Sequence, residues 1–184
     1  MHHYTASLEL LTCRGANHRF LLAKPYVQQL VLLSTQLKGK GLALALRGLR
    51  FMAQGGSEGP GGSTPKPEDG VKQQLIKLKI LPAMHVLCKH PEKQLEGLQK
   101  DDEAQVEICR LLAALANDEP DVASQVASYR GPPDSGGEPD ISLLEAFGNI
   151  FESPWPAVLV EASKALELFA PTHKALASTQ TVSA

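Results

Sequence analysis

An all-α fold of stacked helical repeats is predicted by a phrase that recurs along this sequence. An apolar helix, LLAKPYVQQLVLLS, recurs as LIKLKILPAMHVLC and DISLLEAFGNIFES. Each is followed downstream by a helix rich in Ala and Leu, as in GLALALRGLRFMA, EICRLLAALAN and EASKALELFA. Such a unit cannot bury its own apolar face and needs a neighbour on which to stack. The 184 residues hold three to four units, so we expect a single α-solenoid over residues 1–184.

A partial repeat opens the chain, and the first full repeat follows it. Residues 4–15 read as the tail of a helix, and Gly15 and Asn17 supply a stop and a new start. The full repeat covers residues 17–54 and contains three predicted helices. Its second helix carries a one-sided stripe of Val27, Leu30, Val31 and Ser34. Its third helix has residues at three-residue steps that indicate packing against a neighbour, namely Ala43, Leu46, Leu49 and Met52.

The second repeat is separated from the first by a loop. Residues 55–70 read GGSEGPGGSTPKPEDG, which has no apolar residue and predicts a mobile surface loop. The repeat itself covers residues 71–117 and again contains three predicted helices. The third of these has apolar residues at the spacing i, i+3, i+4 and i+7, namely Ile108, Leu111, Leu112 and Leu115. This spacing predicts one buried side of an amphipathic helix.

The third repeat is predicted over residues 118–170, and a further partial repeat over 171–184. A loop at 130–140, with the breaker-rich sequence GPPDSGGEPD, interrupts the third repeat. Trp155 lies in the turn before the last long helix, where it either covers the end of the core or stands out as an anchor. A stack without polar capping helices exposes apolar faces, so we expect self-association through the exposed solenoid ends.

The composition indicates a soluble protein of a reducing compartment. The cysteines are odd in number and lie in apolar helical phrases, which favours small core residues over disulfides: Cys13, Cys88 and Cys109. No apolar run of about 18 residues occurs, so no membrane span is predicted. We therefore expect a cytoplasmic or nuclear location.

Charge is unevenly distributed along the chain. Residues 1–50 contain seven Lys and Arg against one acid, a net +6, whereas residues 51–184 contain eleven against nineteen, a net −8. Such an asymmetry can steer a charged partner or order adjacent protomers. The alternative is ordinary scattered surface charge with no such role.

The sequence offers no constellation for catalysis, for a metal or for a cofactor. The six histidines are scattered, and no Cys or carboxylate lies at zinc-ligand spacing from them. The Gly-rich run is not set between a strand and a helix, so it does not form a phosphate cradle. Residues 1–50 lack the interleaved aromatics that stack on bases, which argues against a nucleic-acid partner. We predict a non-enzymatic protein.

The repeated phrases carry a family resemblance. The segment LPAMHVLC at 81–88 is similar to the Ile-Pro-x-Leu-Val-x-Leu-Leu second helix of armadillo repeats, and Asn17 matches their Asn start. Their third-helix phrase, Ala-Leu-x-Asn-Leu-Ala, is matched by ALRGL at 45–49, LLAALA at 111–116 and ALELFA at 165–170. The chain thus resembles the armadillo-repeat family, which implies a right-handed α-solenoid. The intervals between equivalent Leu positions, 112−46=66 and 166−112=54, exceed the usual period of about 40 because loops are inserted.

The resemblance also implies a groove, lined by the third helices, that binds an extended peptide or a partner domain. In the family's peptide carriers an Asn ladder grips the peptide backbone, but the equivalent positions here have no side-chain amide: Gly48, Ala114 and Leu168. A groove in this chain must then act through charge and apolar contact. Our candidate partner-binding residues are four third-helix cations, Arg47, Arg50, Arg110 and Lys164.

These cations, with Glu107 and Glu161 beside them, suit a protein or peptide partner of acidic or mixed charge, because Arg recognises carboxylates through a bidentate fork. The alternative is an ordinary solvated helix face. Two functional readings follow. The chain is either an interaction scaffold or an incomplete segment or short isoform of a larger armadillo-type solenoid, with a structural or interfering role.

Overall fold

In the part of the chain that the structure describes, one helix is followed by three successive groups of three helices. A computed structural model describes residues 2–23, 25–56, 70–91, 102–131 and 141–181, with side chains between 5 and 170 of those ranges. The helices are α1 (His2–Thr12), α2 (His18–Leu22), α3 (Tyr26–Ser34), α4 (Gly39–Gln54), α5 (Val71–Lys77), α6 (Ile80–Lys89), α7 (Glu103–Ala116), α8 (Pro120–Ser128), α9 (Leu143–Gly148) and α10 (Pro156–Thr181). Short 3₁₀ turns cover Gly15–Asn17 and Asn149–Glu152. The predicted loops at 55–70 and 130–140 lie largely outside the described residues.

The helices stack in register. The third helix of each group packs on the third helix of the next, in the order α1, α4, α7 and α10. The second helices, α3, α6 and α9, make their own row of contacts behind them. Within the described ranges the only extended pairing is an isolated antiparallel bridge between Arg130 and Ser142. The predicted all-α solenoid is confirmed.

One continuous apolar core runs through the stack. The stripe predicted on the second helix of the first repeat is buried in full. So are both third-helix stripes, whose members have no exposed surface at all: Ala43, Leu46, Leu49, Met52, Ile108, Leu111, Leu112 and Leu115. Trp155 is half-buried and packs against this core, which confirms the covering alternative. Cys88 and Cys109 are buried free thiols, as their positions in apolar phrases predict.

Local signals set the ends of the helices. Gly55 ends α4 with a left-handed φ of 87°, and the backbone N–H of Gly56 donates to the carbonyl of Phe51 at 2.8 Å. Helix α9 begins with a capping box in which the Glu145 N–H donates to Ser142 Oγ at 3.1 Å and the Ser142 N–H donates to Glu145 Oε2 at 2.6 Å. These caps satisfy backbone groups that the helices leave unpaired.

Two polar side chains are held inside the stack. Lys72 of α5 is buried, and its Nζ donates to the carbonyl of Asn117 just after α7, with Glu119 3.9 Å away. Burial lowers the pKa of Lys72, against the opposing effect of Glu119 and Asp118. Nε2 of the His85 ring lies 3.0 Å from the carbonyl oxygen of Ile141, so this ring has a hydrogen-bond partner within the stack.

Some boundaries differ from expectation. Helix α4 begins at Gly39, although Gly39 and Gly41 are residues that predict a separation between the second and third helices of the first repeat. The expected break at residue 171 is absent, because α10 continues to Thr181 as one helix. Pro171 costs α10 one backbone hydrogen bond but does not end the helix. A new repeat would need a loop between two helices.

No described helix is both long and apolar enough to cross a membrane.

Candidate partner-binding surface

The four candidate cations lie on neighbouring third helices. Arg47 and Arg50 belong to α4, Arg110 to α7 and Lys164 to α10. In each helix the cations lie off the buried stripe, so stacking of the third helices places them along one surface. We call this the third-helix surface. Acidic side chains lie between the cations, and the result is a row of ion pairs that crosses the three helices.

Glu107 of α7 is the centre of this row. Its side chain is only 1% exposed, and it accepts hydrogen bonds from three arginines. Arg47 Nε lies 3.2 Å from Oε1, Arg50 Nε lies 2.8 Å from Oε2, and Arg110 Nη1 lies 3.4 Å from Oε1. A buried carboxylate needs such partners because the loss of water around it is costly. Glu107 therefore joins α4 to α7.

Arg47 also connects three third helices. Its guanidinium pairs with Glu9 of α1 at 3.6 Å and with Glu103 of α7, in addition to Glu107. Burial by itself would lower the pKa of Arg47, but the carboxylates of Glu103 and Glu107 outweigh burial and raise it. Arg50 is held further by Gln54 Oε1 at 2.9 Å and lies over the ring of Phe51 at 4.8 Å. Both α4 arginines are thus engaged within the protein.

The row is more open between α7 and α10. Glu161 of α10 accepts from Arg110 Nη2 at 3.4 Å and from Lys164 Nζ at 3.1 Å. The side chains of Arg110 and Lys164 are 42% and 62% exposed, and that of Glu161 is 18% exposed. Burial by itself would raise the pKa of Glu161, but hydrogen bonds from Lys164 and Arg110 outweigh burial and lower it. Of the four candidate cations, Arg110 and Lys164 are the most accessible.

The sequence predicted the cations but not all of their partners. Only Glu107 and Glu161 were predicted beside the cations, and the structure adds Glu9 and Glu103. Both belong to the row of ion pairs, across sequence separations that no local pattern reports. A signal was nevertheless present, because Glu-x-x-Arg at 107–110 recurs as Glu-x-x-Lys at 161–164, with the same interval of 161−107=54 as the Leu positions.

The positions of the expected Asn ladder have other uses. Gly48 is buried where α4 meets α1, and a Cβ there would lie 3.2 Å from Thr12 Oγ1 and 3.6 Å from the α-carbon of Glu9. An Asn at this position would press its Cβ against Thr12, which would have to shift to make room for it. Ala114 is nearly buried, whereas Leu168 is exposed. None of the three supplies a side-chain donor to the third-helix surface.

Apolar side chains border the row of charges. Leu44 and Phe51 of α4 are half-buried, and Val160 of α10 is exposed. Val160 precedes Lys164 by four residues, so the two side chains share one side of α10. The third-helix surface therefore combines accessible cations with apolar contact area.

Three solved structures share this arrangement of helices. Two are engineered proteins whose crystal structures come from the Northeast Structural Genomics Consortium, 18% and 20% identical to this chain, each with a TM-score of 0.62. The third is a designed armadillo repeat protein, 14% identical with a TM-score of 0.60. Each comparison covers 90% of this chain but only 54%, 55% and 56% of the other chain, so this chain spans about half the length of those proteins.

No protein-family model matches the sequence, and no curated protein is significantly similar to it. The stacked third helices and the structural neighbours nevertheless define a class: the chain is a helical-repeat protein. More specifically, its fold is the armadillo-like α-solenoid, which confirms the resemblance found in the repeated phrases.

Proposed function

We propose that this chain is a non-enzymatic protein-binding scaffold that holds an acidic or mixed-charge segment of a partner on the third-helix surface. The armadillo-like solenoid is typical of proteins that bind other proteins. The observation that carries the proposal is the accessible pair formed by Arg110 and Lys164, which both contact the carboxylate of Glu161. Arg110 also reaches Glu107, and the exposed N–H groups of both cations that remain can donate to a carboxylate of a partner.

The row of ion pairs assigns different tasks to its members. Arg47 and Arg50 are held by Glu107, so they stabilise the joint between α4 and α7 and contribute to binding mainly by holding the surface in shape. Arg110 and Lys164 present their exposed donors to a partner, with Val160 as an apolar contact beside them. An extended segment with an acidic residue next to an apolar one fits this combination.

The test is selection from a displayed library of random decapeptides on the intact 184-residue chain. Enriched sequences are expected to contain Asp or Glu beside an apolar residue. The variant Arg110→Gln with Lys164→Gln removes both charges without reversing them, and it should lose the enrichment. A matched control, Arg19→Gln with Lys77→Gln, removes two exposed cations that lie on α2 and α5.

The control variant should select the same peptides as the unmodified protein. Both variants should show the helical circular dichroism of the parent. The Arg110→Gln, Lys164→Gln variant should melt only about 2–4 °C lower, because exposed ion pairs contribute about 1 kcal/mol or less. Enrichment of basic peptides would refute the acidic partner. Enrichment that persists in the Arg110→Gln, Lys164→Gln variant would move binding away from the third-helix surface.

A further inference from the structure

The row of ion pairs on the third-helix surface carries no surplus of positive charge. An acidic segment of a partner finds unused N–H donors there, but every cation of the row already faces a carboxylate of the chain. A carboxylate that enters the row is repelled by the resident acids as well as attracted by the cations, so it binds best where a resident acid can give way. Within the described residues the row joins four cations to four acids, namely Arg47, Arg50, Arg110 and Lys164 to Glu9, Glu103, Glu107 and Glu161.

Three of the four acids are poorly suited to give way. The side chain of Glu107 is 1% exposed, and its departure would leave partly buried arginines without their common partner. Glu9 and Glu103 both pair with Arg47, which Glu107 holds as well, so the displacement of either acid would not free this cation. These three acids therefore belong to the structural part of the row.

Glu161 is placed differently. A single oxygen of its carboxylate, Oε1, lies 3.4 Å from Arg110 Nη2 and 3.1 Å from Lys164 Nζ, so cations of two neighbouring third helices meet at one point. Hydrogen bonds from these cations outweigh burial and lower the pKa of Glu161, so this place favours a carboxylate. The side chain of Glu161 is 18% exposed and both partners are more exposed still, so it can turn into water at small cost.

We propose, on the basis of the acidic partner proposed above, that Glu161 occupies the place of the partner's carboxylate in the free protein, and that an acidic segment binds in exchange for it. Glu161 then determines specificity and lowers affinity. A lone carboxylate gains from Arg110 and Lys164 only what Glu161 gives up, so the exchange by itself is close to neutral. A segment that binds must add contacts that Glu161 does not make, and the exposed Val160 offers one to an apolar side chain.

Fluorescence anisotropy on the intact 184-residue chain tests the exchange. The probe is a fluorescein-labelled decapeptide with the sequence Gly-Ser-Glu-Leu-Asp-Leu-Glu-Gly-Ser-Gly, which places acids beside apolar residues. Its counterpart with Gln and Asn in place of Glu and Asp measures any binding that does not depend on charge.

The variant Glu161→Gln keeps the size of the side chain but removes the competing charge. It should bind the acidic probe at least about fivefold more tightly than the parent, because an exposed ion pair is worth up to about a factor of five and Glu161 makes two. Binding by the variant alone would be the limiting case of the same competition. The sign is informative, since a residue that merely holds the two cations in place would weaken binding when it loses its charge.

A matched control removes an acid of the same helix that is not part of the row. Glu167 of α10 is exposed and has no ion pair with Arg110 or Lys164. Glu167→Gln should change the affinity for the acidic probe by no more than about twofold, because only a screened interaction without direct contact is lost. Both single variants should keep the helical circular dichroism of the parent.

The outcomes separate the exchange from the acidic partner itself. If binding is lost in Arg110→Gln with Lys164→Gln but is unchanged or weaker in Glu161→Gln, the exchange is refuted and the acidic partner stands. An equal gain in Glu161→Gln and Glu167→Gln would also refute the exchange, because a general change of charge would explain it. Binding that survives in Arg110→Gln with Lys164→Gln would refute both proposals. So would the absence of binding to Glu161→Gln, in which both cations are freed from Glu161.

Discussion

Glu107 and Glu161 occupy equivalent places in successive repeats but lie in different surroundings. Both begin a third-helix segment Glu-x-x-cation, and both face cations of the preceding third helix. Glu107 is buried beneath three arginines between α4 and α7. Glu161 is partly open to water between α7 and α10, with partners that are about half exposed. The comparison indicates that position within the stack, rather than the motif, decides whether an ion pair is structural or exchangeable.

The largest effect should come from removing the buried carboxylate. Glu107→Ala leaves Arg47 and Arg50 partly buried without their common partner, and loss of one member of a buried pair costs about 3–5 kcal/mol. Glu161→Ala should cost about 1 kcal/mol or less, because exposed pairs contribute little. Urea unfolding followed by circular dichroism measures both free energies. Equal costs for the two variants would contradict the distinction between the two joints.

The second prediction compares two apolar residues at equivalent positions of α7 and α10. Leu112 of α7 has no exposed surface, whereas Leu166 of α10 is 46% exposed. Leu112→Ala should lower the free energy of unfolding by about 2–5 kcal/mol, because it leaves a cavity in the core. Leu166→Ala should change it by about 0.5 kcal/mol. Unfolding should be measured at low protein concentration, where contacts between copies of the chain would not protect Leu166.

The contrast between interior and outer helices also explains what the sequence could predict. Helical spacing predicted the buried stripes of α4 and α7 because their positions have neighbours on both sides. The same spacing recurs in α10, yet Leu166 is exposed there, because a sequence pattern reports what a helix could bury and not what lies beside it. The cations of the third-helix surface were predictable for the same reason, since they lie off the apolar stripe.

Their partners were not predictable from spacing. Glu9 and Glu103 meet Arg47 only because α1, α4 and α7 are stacked, and stacking depends on the lengths of loops between repeats. The division of tasks within the row likewise depends on burial. Arg50 pairs with Glu107, whereas Arg110 pairs with both Glu107 and Glu161 and is partly exposed to water. The local sequence around the two arginines does not predict this difference.

The third prediction concerns a buried thiol of α7. Cys109 of α7 is buried, and burial raises its pKa to about 12, whereas the equivalent Ser163 of α10 is exposed. Above about pH 8.5 the unfolded thiol loses its proton while the folded thiol keeps it, so stability falls with rising pH. The fall is about 1.4 kcal/mol for each pH unit above that value.

Cys109→Ala removes this contribution, so the difference in free energy of unfolding between parent and variant should shrink as the pH rises from 7.5 to about 10. Burial lowers the pKa of Lys72, but Lys72 remains in the variant and its contribution cancels in the difference. Burial also raises the pKa of Cys88, and Cys109 adds to that rise, so the difference reports Cys109 together with its effect on Cys88. Ser163→Ala should give a difference that does not change with pH. A constant difference for Cys109→Ala would contradict a buried thiol at this position.

The smallest effect should appear at acidic pH in the open joint. The hydrogen bonds from Lys164 and Arg110 outweigh burial and lower the pKa of Glu161, so the folded state releases this proton more readily than the unfolded state. The resulting stability is present above the usual carboxyl pKa of about 4.3 and is lost as the pH falls through the lower folded value. Because its partners are exposed, the contribution should stay below about 1 kcal/mol. Glu161→Gln should therefore be slightly less stable than the parent at neutral pH, and the two free energies of unfolding should converge at low pH.

Added salt should reduce the neutral-pH difference in stability for Glu161→Gln far more than that for Glu107→Ala, because salt screens exposed charges and screens buried ones poorly.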